Sequence, residues 1–450
     1  MNHLLAIPIE IRMAAVFALG ICLGSLANLG IYRLAWHRRA ISPWSRADAK
    51  APSRRWSDRL PILGWLGLRR EASLHGVGFW IRPMLVELLV GVGLAALYWW
   101  EVERLGLLPA EIQPVSEAVR LVLHQQFAAH LLLIFCMIVA SLIDVDEKTI
   151  PDAITVPGTL AGLMLATVWP RSLLPVIVEQ GPNCLPCSLL PVIVEQGPGF
   201  WPPMPQPMFV EQYLFFLKFN APGIWRQAFN NSPGPGWMLA VCLACWWAWC
   251  VALMPRTWYS RHGFRRACGL SWARVVRERT SYRLTLMGLI GSAVIGVIWF
   301  RGGISLVGLL TALMGLAGGG GLVWLVRVIG TAALRREAMG FGDVTLLAMI
   351  GAFLGWQTSL VIFFLAPFAA LVIGIIQLVV RRDSEIPYGP FLCLATLVVV
   401  VRWADVWDRT FRIFDLGWFV PAVVLACMGL MGLMLGGWQW LKCRFQHPSV

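Results

Sequence analysis

Charge is what this 450-residue chain has least of: 14% of its residues are Asp, Glu, Lys or Arg, against 58% hydrophobic. A soluble domain carries roughly a quarter charged residues, so a water-facing globule is excluded. Cysteine supplies no framework either. Cys22, Cys136, Cys242, Cys245, Cys250 and Cys427 lie in apolar runs, where the thiol behaves as a small hydrophobe and no disulfide pattern follows. Cys184 and Cys187 form a single CxxC without a second pair or a histidine cluster, so zinc is not expected. A leader cleavage site is missing as well. The first apolar run continues through Gly24 to Leu34 and reads as an uncleaved first span.

What the chain has is apolar length. Eleven stretches read as membrane spans, at about 13–32, 83–100, 127–143, 153–169, 237–254, 284–300, 303–329, 344–356, 358–380, 388–401 and 417–438. The expected fold is all-α: a polytopic transmembrane helical bundle with a short cytoplasmic loop region after the first span. Loop charge sets its orientation. The stretch from Arg33 to Arg82 holds eleven Lys/Arg against three acids and is assigned to the cytoplasm, whereas 101–126 carries four glutamates and two arginines and falls outside. Arg256 to Arg283, with eight arginines and one glutamate, returns to the cytoplasm, as do Arg335, Arg336, Arg381, Arg382, Lys442 and Arg444. The net charge of +13 therefore reads as positive-inside bias in a lipid bilayer, and nucleic acid is not expected as a partner.

The segment SLLPVIVEQGP occurs at 172–182 and again at 188–198, a local duplication followed by closely spaced prolines that reads as a surface loop. The chain then divides into an N-terminal region at 13–100 and a core at 127–170 and 303–401. Residues 171–302 form an insertion with two extra spans, and 402–450 a C-terminal span and tail.

Acids at the ends of spans carry the chemistry, because a charge in hydrocarbon is costly. Asp144 and Asp146 close the third span, just before Ile150, Pro151 and Asp152. Residues 339–343 read Met-Gly-Phe-Gly-Asp, with Asp343 opening the next apolar run. Loop charge places Asp144 and Asp343 on one side of the membrane. Asp343 and Asp152 also suit helix caps, and Asp144 and Asp146 suit interfacial charges. Two aspartates within hydrogen-bond reach share one proton. One then takes a proton from water while the other donates to a carbonyl oxygen, with no metal or nucleophilic side chain. Gly340 and Gly342 permit close backbone approach beside Asp343. Glu87, His130 and Glu385 receive no role, and His130 reads as a packing residue.

The pair Ile143-Asp144 with Pro151-Asp152, followed by Gly340-Phe-Gly-Asp343, resembles the paired motifs of the type IV prepilin peptidases, which are GxGD aspartic peptidases. Gly24-Ser-Leu-Ala-Asn28, Leu60 to Arg69, Arg82-Pro-Met-Leu-Val-Glu87 and Ile386-Pro387-Tyr-Gly389-Pro390 resemble further family motifs in family order. The resemblance implies catalysis by Asp144 and Asp343, with Gly340, Gly342, Pro151, Asp146, Pro387 and Gly389 supporting. Asp146 competes for the first role, but family spacing to the Ile-Pro pair favours Asp144. It implies prepilin or pseudopilin substrates of type IV pili or type II secretion, cut at the cytoplasmic face of the bacterial inner membrane. The peptidase step needs no cofactor, while methylation of the new N-terminus, the second activity of many members, uses S-adenosylmethionine. Many members carry two CxxC pairs in the first cytoplasmic loop; Arg33 to Arg82 contains no cysteine, so that metal site is absent. The alternatives are a non-catalytic assembly component docking through the insertion, or an ion-coupled transporter using the same acids. The chain shows no pair of similar halves, which counts against the transporter.

Overall fold

The computed structural model describes residues 7–37, 41, 43–44, 50–108, 117–175, 232–254, 269, 277–334, 337–380, 387–414, 416 and 419–446. Most of the duplicated segment, Cys184, Cys187, Arg335, Arg336, Arg381, Arg382 and Glu385 lie outside them. Among the described residues all regular structure is helical. The helices are α1 (Ile9–Leu34), α2 (Leu63–Leu68), α3 (Ala72–His75), α4 (Ile81–Tyr98), α5 (Glu117–Glu147) and α6 (Asp152–Val168). After the insertion's first part come α7 (Gly236–Ala252), α8 (Arg279–Arg301), α9 (Gly303–Leu334), α10 (Phe341–Leu354), α11 (Trp356–Val380), α12 (Gly389–Val401), α13 (Trp403–Phe414) and α14 (Phe419–Gln446).

Each of the eleven expected spans falls on a helix. Among the described residues six helices are long and apolar enough to cross a membrane, and four shorter apolar helices accompany them. The chain is a multi-pass, all-α membrane protein. α13 was not singled out by its apolar pattern: it turns 89° from the axis of α12. Its Trp403 and Trp407 are buried, while Asp405, Asp408 and Arg409 face out.

α10 is the central helix. Every residue from Asp343 to Leu354 is buried, so an all-apolar sequence has no wet face to form. Its 14 residues end at Gly355, whose φ of +85° favours glycine and whose amide closes on the Gly351 carbonyl at 2.8 Å. At 1.5 Å per residue α10 is about 21 Å long, shorter than a hydrocarbon core of about 30 Å. Burial begins at Asp343, its third residue. The long α9 lines it with small residues: a Cβ on Gly315 would strike the Gly351 carbonyl, and one on Gly351 would strike that of Gly315. Backbones meet there directly, the close packing that membrane helices use in place of a hydrophobic drive. α1 and α4 repeat the device, since a Cβ on Gly24 would lie 2.6 Å from Glu87 Cα.

The start of the insertion departs from the expected surface loop. Ser172, Leu173 and Leu174 are buried. The Leu173 carbonyl accepts from Gln126 Nε2 at 2.9 Å, and the Pro175 carbonyl from Trp403 Nε1 at 2.6 Å. The two leucines outweigh the following prolines here, because the ends of α5 and α13 offer an apolar seat and donors for the backbone. Helices α7 and α8 interlock through tryptophan: Trp246 Nε1 donates to the Gly288 carbonyl at 2.9 Å.

Gly351→Ala forces α9 and α10 apart at a backbone contact. It is expected to lower stability by about 1–3 kcal/mol, read as a lower unfolding temperature of the detergent-solubilised protein. A change at the exposed Gly437, Gly437→Ala, is the control expected not to lower it.

Candidate active site

One end of the bundle gathers the informative motifs. α5 finishes at Glu147, where Lys148 adopts a φ of +56° and its amide returns to the Asp144 carbonyl at 2.8 Å. The chain reverses through Ile150 and Pro151, and Asp152 opens α6. Gly340 caps α10, so Asp343 stands in its first turn. The Gly340 amide is directed toward its carboxylate, and Gly340 rather than Asp343 occupies the cap position of the helix. Asp152 is the first residue of α6, and Pro151 occupies the cap position before it.

Asp144 and Asp343 are both buried, with 4% and 8% of their surface exposed, and lie within electrostatic reach of each other. Although 199 positions separate them in the chain, the packing of α5, α10 and α12 brings them together. Gly389, at the start of α12, approaches from the third side: a Cβ there would fall 2.5 Å from Asp144 Oδ2 and 2.9 Å from Ile150 Cδ1. The Gly389 amide is directed at the Asp144 carboxylate, whereas the buried Oδ2 has no hydrogen-bond partner. Gly342 is needed sterically, since its Cβ would meet Ile150 Cβ at 2.7 Å. Gly340 is not: a Cβ there meets nothing closer than Asp343 Oδ2 at 3.5 Å. Pro387 precedes this cluster. Tyr388 and Cys393 lie within electrostatic reach of Asp343, and Cys393 also of Asp144.

Asp146 points elsewhere. Both its oxygens accept from Arg82 Nη1, at 2.7 and 2.9 Å. Of the two candidates for the first role, only Asp144 joins Asp343.

Glu87, to which the sequence reading gave no role, is the hub of the N-terminal region. Fully buried, it accepts the Ile62 amide at 2.5 Å, Trp65 Nε1 at 2.8 Å and Asn28 Nδ2 at 3.3 Å. Asn28 also donates to the Pro83 carbonyl at 2.9 Å. One carboxylate thus ties together three of the quoted motifs. Its signal was an acid inside an apolar run, but its partners come from two separate stretches, one at Asn28 and one at Ile62 and Trp65. In the loop between α1 and α4 the buried carboxylates among the described residues are taken: Glu71 pairs with Arg54 Nε at 3.1 Å, and Asp58 pairs with Arg70. His130 has a partner that the sequence did not reveal, Glu101 at 2.8 Å.

A multi-pass helical membrane protein with two buried aspartates facing one another at one end is the class that fold and site define. The type IV leader peptidase family model matches residues 276–375, and the bacterial peptidase A24 N-terminal domain matches residues 18–101. Asp343 lies within the first match, while Asp144 lies between the two. A prepilin leader peptidase/N-methyltransferase of Myxococcus xanthus is 32% identical over 151 residues, 34% of this chain and 39% of that protein. The protein so named in Pseudomonas aeruginosa is 34% identical over 94 residues, 20% of this chain and 31% of its own. One in Stutzerimonas stutzeri is 30% identical over 152 residues, 30% of this chain and 52% of its own. The alignments thus span about a third to a half of these relatives. No solved structure matches. The chain carries, in family order, both segments of the type IV leader peptidases, and the resemblance drawn from its motifs holds.

Replacing Glu87 by Leu strands three buried donors and is expected to destabilise the N-terminal region by about 1–3 kcal/mol per stranded group at most. Limited proteolysis should then cut within 51–80 faster than in wild type, while Glu10→Leu, near the far end of α1, leaves the rate unchanged.

Proposed function

We propose that this chain is a membrane-embedded aspartic endopeptidase that removes leader peptides from type IV prepilins or pseudopilins. The observation that carries the reading is the meeting of two buried carboxylates, Asp144 and Asp343, from separate motifs. With one proton shared between them, the ionised aspartate takes a proton from a water as its oxygen adds to the scissile carbonyl. The protonated aspartate donates to the carbonyl oxygen. Collapse of the tetrahedral adduct passes a proton to the leaving nitrogen, giving a free carboxyl on the leader and a free amine on the pilin. Burial excludes competing water and strengthens these interactions.

The basic loop from Arg33 to Arg82 sits at the same end as the aspartates, since Arg82 bonds Asp146. Positive-inside bias then assigns the site to the cytoplasmic face of the bacterial inner membrane. A substrate whose leader stays in the cytoplasm and whose apolar segment lies in the bilayer would present its junction there.

The relatives' name includes a methyl transfer, which uses S-adenosylmethionine. The other buried acids and amide at this end, Asn28, Asp58, Glu71 and Glu87, are engaged internally. None of these four side chains is free to hold that cofactor.

Asp144→Asn and Asp343→Asn should each reduce leader removal from a co-expressed prepilin by about 100-fold or more, read by the shift of the pilin band. Processing that survives either change at the wild-type rate would sink the assignment. The reaction should also show a bell-shaped pH dependence of kcat/KM, as expected for a pair that works with one proton.

A further inference from the structure

We infer that the N-terminal segment positions the first aspartate, with Arg82 acting through Asp146 and the Trp36–His37 turn acting through Glu147 to hold the helix end that carries Asp144. This rests on the peptidase reading of the aspartate pair.

Asp144 needs external support. It occupies the last turn of α5, the part of a helix most prone to fray. The Gly389 amide is directed at its carboxylate, but Oδ2 makes no hydrogen bond, so the site itself leaves one oxygen unheld. The orientation of the side chain therefore depends on the orientation of the turn.

Two contacts hold that turn from outside the catalytic cluster. Asp146 and Glu147 leave α5 on different bearings from Asp144, because each residue advances about 100° around the axis. From α4, Arg82 Nη1 bonds both oxygens of Asp146, and Nη2 reaches the Leu142 carbonyl at 3.5 Å. One guanidinium thus reaches both a side chain and a backbone carbonyl near the end of α5. Just beyond the end of α1, the amides of Trp36 and His37 bond the two oxygens of Glu147 at 2.5 and 2.8 Å. α1 and α4 are themselves locked together at Gly24 and Glu87. The brace is consequently one unit, and its rigid part is the segment matched as the separate N-terminal domain, residues 18–101.

The Arg82–Asp146 pair is a weak contributor to folding, with side chains 43% and 22% exposed. Ion pairs that water reaches are largely screened. What it supplies is geometry, and misplacement of a reacting group by about 1 Å can slow a reaction 100-fold.

The test uses the full chain in detergent or liposomes with a purified prepilin. Arg82→Ala should lower kcat by about 10- to 100-fold with KM changed by less than about threefold, and Arg82→Lys, which restores a donor to Asp146, should recover at least about a third of kcat. Retention of kcat within twofold by Arg82→Ala, or equal loss in the Ala and Lys variants, overturns the proposal. A second readout needs no substrate: modification of Asp144 by a hydrophobic carbodiimide, quantified by mass spectrometry relative to Asp343. That ratio should change at least threefold in Arg82→Ala and remain near wild type in Arg82→Lys. An unchanged ratio in Arg82→Ala overturns the proposal whether or not the protein cuts leaders. Absence of cleavage by the wild-type chain overturns the peptidase reading alone.

Discussion

Two carboxyl groups held together inside an apolar bundle are the constraint to which the rest of this structure answers. Like charges at close range in low dielectric repel strongly, and each alone is expensive to bury. The fold meets that demand by bringing backbone close: the start of α12 at Gly389, the Ile150 turn against Gly342, and the Gly340 amide on Asp343. No bulky side chain fits between these parts.

Around that pair the molecule is layered by function. α9 and α10 meet backbone to backbone and form the stiff centre. α1, α4 and the loop between them form a brace whose polar groups are neutralised internally, with Glu87 collecting three donors and Arg54 and Arg70 answering Glu71 and Asp58. The inserted helices α7 and α8 pack against α9, and Trp247 and Trp246 of α7 fill the gaps opposite Gly288 and Gly291 of α8. Such an arrangement lets a long insertion enter between the two catalytic motifs without separating them. Among its described residues it contributes two long helices, α7 and α8.

Much of this was legible in the sequence because membrane proteins obey simple rules. Apolar length located all eleven helical segments, and loop charge placed Asp144 and Asp343 at the same end. Gly342 and Gly389 carried a steric signal that the packing explains. Other features were hidden for physical reasons. The role of Glu87 depends on donors from Ile62, Trp65 and Asn28, which only the folded chain brings together. Asp146 and Asp144 are two residues apart and chemically identical; spacing to the Ile-Pro pair favoured Asp144, but the partner of Asp146, Arg82, shows only in the folded chain. The seating of Leu173 and Leu174 was obscured by the prolines that follow. α13 was missed because its apolar stripe is amphipathic and too short to register as a span.

The central claim is spatial, and cross-linking tests it most directly. With the native cysteines replaced, a chain carrying Asp144→Cys and Asp343→Cys would be treated in native membranes with a short thiol-to-thiol cross-linker. Proteolytic cleavage between α8 and α9 would follow. The account predicts that the two fragments remain joined and that both thiols are protected by the same side-specific reagent. Fragments that separate, or thiols that label from opposite faces of the membrane, would contradict it.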